Sequence, residues 1–159
     1  MPVTPTKLGP GTLVLGETTG EIDVSCALSA AGISVEKSQD DPIPVLCGDY
    51  VASTAEYTAS LTGTLLLDLA DPDSIYYYAS THRGEQVAAT FTPNTDAGAV
   101  ITGLITIDPL GIEGDVRANI EAEFEWAFVS YPTITPPAAP PPLDDTATAT
   151  GKSKVPVGV

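Results

Sequence analysis

The run EAEFEWAFVSY at residues 121–131 decides the fold. Glu121, Glu123 and Glu125 alternate with Ala122, Phe124, Trp126 and Phe128. A period of two belongs to a β-strand, whose successive side chains point to opposite faces. One face is aromatic and reads as core. The other carries carboxylates about 7 Å apart, two rises of about 3.4 Å.

The same alternation recurs outward from this strand. Across residues 55–69, Tyr57, Ala59, Leu61, Leu65, Leu67 and Leu69 share one face. Glu56, Thr58, Ser60, Thr62, Thr64 and Asp68 share the other, interrupted by Leu66. A strand of that length exceeds the usual ~5–6 residues, and Gly63 marks a bulge or bend in it. Residues 21–28 place Ile22, Val24, Cys26 and Leu28 opposite Glu21, Asp23 and Ser25, again a half-buried strand. Gly11 and Gly16 bracket a short strand at 12–15, and Ile33 and Val35 carry another at 31–36. Val87, Ala89 and Phe91 face inward from 85–92, a turn follows at 93–98, and 99–107 returns as the second arm of a hairpin. Residues 108–114 read as a loop, and 115–120 fit no single element.

One helix is expected, over 74–83. Asp71 suits the cap, Pro72 the first helical position, Asp73 the positive end of the dipole and Gly84 the stop. Ile75, Tyr78 and Ala79 form its buried stripe. Residues 37–50 contain Asp40, Asp41, Pro42, Pro44, Gly48 and Asp49 and read as a long loop. Ile43, Val45 and Leu46 lie inside it, either folded back on the core or presented for contact. Beyond Tyr131 the texture turns Pro-, Ala- and Thr-rich and reads as an extended tail.

Composition bounds the function. The 159 residues suit one domain, and 43% hydrophobic content suits a packed core. No apolar run approaches the roughly 20 residues of a membrane-spanning helix, so no membrane insertion is expected. Residues 1–11 do not read as a signal peptide, which points to a protein made and kept in a cytoplasm. Cys26 and Cys47 then read as two reduced core thiols. With 21 acidic against 6 basic residues the net charge is −15, a balance that repels a nucleic-acid backbone.

A search for catalytic chemistry yields no set of groups. His82 stands alone and suits a helix C-terminus. No GxSxG, HExxH or P-loop is present. Asp40, Asp41 and Asp49 lack the spacing of a calcium loop. The Glu121, Glu123 and Glu125 row has the separation of a glycosidase pair but no partner groups. No enzyme activity, cofactor or metal is expected.

The order of the segments GTLVLG (11–16), EIDVSCAL (21–28), KSQDDPIPVLCGD (37–49), ITIDPLGIEGD (105–115) and EAEFEWAFVSYPT (121–133) resembles the major tail tube proteins of long-tailed bacteriophages, especially those of actinobacterial hosts. The resemblance covers residues 11–133. It implies a mainly β fold, a β-sandwich or partial barrel with one flanking α-helix. It divides the chain into an N-terminal arm (1–10), a tail-tube domain (11–133) and a Pro-rich C-terminal extension (134–159). It implies hexameric rings stacked into a tube, with inner strands joined into a barrel through which viral DNA passes without specific binding. The partners it implies are further copies of the chain, a tape-measure protein, a tail terminator and tail tip proteins. The place implied is the virion tail, assembled in the host cytoplasm. On this reading Glu56, Thr58, Ser60 and Thr62 line the channel, and Glu121, Glu123 and Glu125 either join them or face outward. The loop residues Gln39, Asp40, Asp41, Pro42, Ile43, Val45, Leu46 and Asp49 contact the adjacent ring or subunit. Two other readings stand beside it: a monomeric surface- or carbohydrate-binding β-sandwich, and a capsid decoration or head–tail joining protein.

Overall fold

The computed structural model describes residues 3–17 and 19–138. Among them the elements run β1 (Thr12–Leu15), β2 (Ile22–Asp23), β3 (Leu28–Ser38), β4 (Ile43–Pro44), β5 (Tyr50–Val51), β6 (Glu56–Leu66), α1 (Ile75–Thr81), β7 (Gln86–Thr92), β8 (Val100–Thr106), β9 (Glu121–Ala127) and β10 (Thr133–Thr135). β3, β6 and β9 form a three-stranded antiparallel sheet with β6 in the centre. β10, β8, β7, β1 and β2, in that order, form a five-stranded antiparallel sheet. The two sheets meet at an Ile105–Phe128 bridge but do not close into a barrel. The architecture is the mainly β sandwich with one flanking helix that the alternating sequence implies.

The core lies between the sheets. Leu61, Leu65, Ala122, Phe124 and Trp126 project from the three-stranded side. Leu13, Leu15, Val87, Ala89, Phe91 and Ile105 meet them from the other, and Ile75 and Ala79 of α1 close one flank. Trp126 is 1% exposed, and its indole N–H donates to the Asp108 carbonyl at 3.1 Å, so its polar atom is satisfied inside the apolar layer. Burying each aromatic or branched side chain here stabilises the fold by roughly 1.5–3 kcal/mol before entropy is counted.

Gly63 sits where two layers converge. A Cβ there would lie 2.4 Å from the Ala30 carbonyl oxygen and 2.8 Å from the Phe124 ring. The Phe124 ring covers the glycine from the paired strand. The bulge itself falls on the partner strand, between Leu28 and Ala30 of β3.

Several local expectations are corrected. The strand expected over 21–28 stops at Asp23, because the Asp23 carboxylate accepts from the Ser25 backbone N–H at 2.9 Å and from the Ser25 hydroxyl. That side-chain capture makes a turn in place of a ladder. Val24 stays buried, but Cys26 is exposed, and so is Cys47; neither is a core thiol. The helix begins at Ile75 with Ser74 in the cap position, and Asp71 instead closes a preceding turn by accepting from the Asp73 N–H at 3.0 Å. Residues 133–135, expected to be tail, form β10 on the edge of β8. The N-terminal arm is extended and exposed from residue 3. Its root is tied down by Asn94, whose amide donates to the carbonyls of Lys7 at 3.0 Å and Gly9 at 3.1 Å. The rest of the expected C-terminal extension, from residue 139 onward, lies outside the described residues.

Gly63→Ala is expected to lower stability by about 1–3 kcal/mol, read as a reduced thermal midpoint, because the Ala30 backbone cannot move aside. An unchanged midpoint would contradict the close approach.

The Ser25 side-chain hydrogen bond, then the Ser25 backbone hydrogen bond, hold the Asp23 carboxyl below its ordinary value. A carboxylate with a depressed folded pKa contributes stability above its unfolded pKa, near 3.9, and loses it as pH falls through the lower folded value. Asp23→Asn, which keeps an acceptor oxygen and cannot titrate, should flatten the loss of urea resistance between pH 5 and about pH 2.5. An acid profile identical to the parent would contradict this.

Candidate functional site

The register of the three-stranded sheet assembles one polar face from three segments. Directly opposed residues of an antiparallel pair point to the same side. Ser38 lies opposite Glu56, Glu36 opposite Thr58, Ser34 opposite Ser60, Gly32 opposite Thr62 and Ala30 opposite Thr64. On the far side of β6, Thr62 lies opposite Glu125, Thr64 opposite Glu123 and Leu66 opposite Glu121. The two acidic rows that the sequence left separate, 56–62 and 121–125, therefore share one face.

Its chemistry is uniform. The carboxylates are Glu36, Glu56, Glu121, Glu123 and Glu125, set among Ser, Thr, Ala and Gly, with Leu66 the one large apolar side chain. No Lys, Arg, His or aromatic residue stands on it. Lys37 is on the opposite face, across from Tyr57. The single ion pair among the described residues is His82 with Glu85 at 2.8 Å, on the helix flank. The carboxylates of the face thus have neighbours of their own sign about 7 Å away, inside the ~8 Å screening length of physiological salt. Sequence reasoning missed Glu36 and Ser34 as members of the face. The signal was the alternation in β3, which becomes legible as a face only when Ser34 is set against Ser60.

The segment 39–51 forms a second feature. It is a small exposed hairpin, not a plain loop: β4 pairs with β5 through Ile43–Val51 and Pro44–Tyr50. The Val45 N–H donates to the Asp49 carbonyl at 3.0 Å, and Gly48 takes a positive φ of 83° in the turn. The Asp49 side chain accepts from the Tyr50 N–H at 2.8 Å. Gln39 and Ser53 hydrogen-bond across the base, where the Ser53 hydroxyl also reaches the Asp40 carbonyl. Asp41 and Pro42 are exposed. Ile43, Tyr50 and Val51 are exposed, and Leu46 is wholly so. These residues do not fold back on the core. Apolar side chains gathered on one projecting element are the usual mark of an interaction surface.

No other constellation competes with these two. His82 caps the helix C-terminus, with its ring packed on Tyr78 at 4.3 Å between centroids. Burial, then the charge of Glu85, pushes the Tyr78 hydroxyl above its ordinary value. No group of three or more His, Cys, Asp or Glu among the described residues is placed to hold a metal ion. No described helix is long and apolar enough to cross a membrane.

Comparison with solved structures matches this arrangement. The fold is similar to that of a chain in a gene transfer agent tail. That structure, "Tail of empty GTA particle computed with helical refinement, C6 symmetry", superposes with a TM-score of 0.56 at 20% identity, covering 78% of this chain and 94% of the other. A chain of "Virion of native gene transfer agent (GTA) particle" superposes with a TM-score of 0.54 at 18% identity, covering 77% and 95%. No protein-family profile matches the sequence, and no curated protein matches it. At these identities the likeness is one of fold.

Crowded like charges make the face destabilised at low ionic strength. Glu123→Gln is therefore expected to raise the thermal midpoint in low salt, with the gain shrinking in 0.5 M NaCl. A salt-independent effect would contradict a charge-repulsion origin.

Proposed function

We propose that this chain is the structural subunit of a phage tail tube of the long-tailed, siphovirus type, with an actinobacterial host implied by the segment resemblance. Six copies form a ring, rings stack into a tube, and the acidic face of β3, β6 and β9 lines the channel through which DNA is delivered. The observation that carries this reading is the composition of that face: carboxylates, hydroxyls and small residues, with no cation and no aromatic ring. A cation would hold phosphate and a ring would stack bases, and each would brake a moving duplex. Similarity of fold to a tail chain in a particle of C6 symmetry supports the ring.

The dimensions agree. Three strands from each of six copies give 18 strands. At about 4.8 Å per strand and a tilt near 40°, they close a barrel roughly 35 Å across at the backbone. Short side chains then leave a bore wider than a DNA duplex. The exposed hairpin of Ile43, Leu46, Tyr50 and Val51 serves contact with the neighbouring ring or subunit. The tube ends engage a tape-measure protein, a terminator and tip proteins. Residues 1–10 and 134–159 act as arm and extension of the tube domain. The role is structural, not enzymatic, and the place is the virion tail, after assembly in the host cytoplasm. A carbohydrate-binding sandwich would require an aromatic platform, which the wet face lacks.

Particles built with Glu121, Glu123 and Glu125 all changed to Lys should form tails of normal length yet release DNA more slowly. The delay should shorten as salt rises and phosphate contacts weaken. Release at the parental rate would remove these residues from the channel wall.

A further inference from the structure

The three-stranded sheet leaves two stretches of backbone without partners, and they lie on its opposite edges. The Glu113 N–H donates to the Glu121 carbonyl at 3.3 Å, and the Glu121 N–H returns the bond at 3.2 Å. Glu121 therefore turns its backbone groups away from β6. Alternation along the strand sends those of Glu123 and Glu125 the same way. At the far end the Val129 N–H reaches the Leu104 carbonyl at 2.9 Å. Between these two stops the outward groups of Glu123 and Glu125 have no partner among the described residues.

The other edge is longer. The Leu66 N–H bonds to Ala27 and the Leu67 N–H to Ile120, so even-numbered residues of β6 face β3 and odd-numbered ones face β9. Ala30, Gly32, Ser34 and Glu36 of β3 pair with those even residues. Ala31, Ile33, Val35 and Lys37 consequently point their N–H and C=O groups outward, unpaired among the described residues. Natural proteins cover or use so long an open edge. The five-stranded sheet by contrast ends in strands of two and three residues. The open span of β3 from Ala31 to Lys37 and the gap in β9 between its two stops are each about 20 Å long.

We infer that β3 of one copy adds to β9 of the next, and that the strands at this seam run parallel. This rests on the tail-tube reading. The direction follows from parity. β3 and β9 are each antiparallel to β6 and so parallel to each other. A cyclic array carries every copy round the axis without reversing it. With an odd number of strands per copy, the strand leaving one subunit and the strand entering the next keep the same sense. An otherwise antiparallel ring thus contains one parallel pair at every subunit boundary. The seam is heterologous, with a different edge offered by each partner, and it closes when the rotation completes a ring. Glu36 of the incoming strand then shares the wet face with Glu123 and Glu125 of its neighbour, so seam formation is favoured by salt.

Engineered cysteines in a Cys26→Ser, Cys47→Ser background read the direction directly. One series pairs Ser34→Cys with Glu123→Cys, Glu125→Cys or Ala127→Cys, and a second pairs Glu36→Cys with the same set. Proteins are assembled, viewed by negative-stain microscopy, oxidised and resolved on non-reducing gels. The parallel seam predicts that the preferred β9 partner of position 36 lies two residues later than that of position 34. A partner that moves two residues earlier would establish an antiparallel seam and overturn the inference while leaving the tube intact. Rings without any β3–β9 cross-link would place the boundary elsewhere and overturn it as well. Failure to form rings at all would remove the tube reading and the seam together.

Discussion

The structure depends on the two-residue period of β9 pressed against β6. Trp126 and Phe124 can be buried only if Glu121, Glu123 and Glu125 turn the other way, since a strand offers no third direction. The Trp126 indole bond to Asp108 and the contact of the Phe124 ring with Gly63 pin the register. A slip of one residue would bring three carboxylates into the apolar layer and expel two aromatic rings. The core therefore sets the charge of the opposite surface. The acidic face is the mirror of the hydrophobic one.

A surface made in this way carries a cost. Carboxylates held about 7 Å apart repel one another, and the sheet beneath them has two unsatisfied edges. In an isolated copy both are liabilities. In a ring the edges satisfy each other, and the charge repels the phosphates of a passing duplex in place of gripping them. The hairpin of β4 and β5 adds an apolar contact at a distance from this face, so lateral joining and stacking draw on separate parts of the chain.

Long strands with clean alternation were legible in the sequence: β6, β7, β8 and β9 fall close to where their periodicity puts them. So was the inward set of Val87, Ala89, Phe91, Phe124 and Trp126. Where the reading failed, a polar side chain had captured the backbone locally. Asp23 ended the strand expected over 21–28, and Asp71 made a turn before the helix rather than its cap. The identity of the face was only half legible. Each row could be read from its own strand, but which rows share a side depends on pairing between residues far apart in the chain, such as Thr62 with Glu125. Similarly, composition signalled that 37–50 was irregular, but not that Pro44 would sit in a two-stranded ladder with its missing N–H tolerated.

The central claim is that the β3–β6–β9 face is a channel wall. The most direct measurement is a cryo-electron microscopy map of tubes assembled from the purified protein, at a resolution that traces strands. The account predicts six copies per ring, with Glu56, Glu121, Glu123 and Glu125 projecting into the bore and the five-stranded sheet outside. Tubes with the five-stranded sheet toward the axis, or a protein that stays monomeric under every assembly condition, would contradict it.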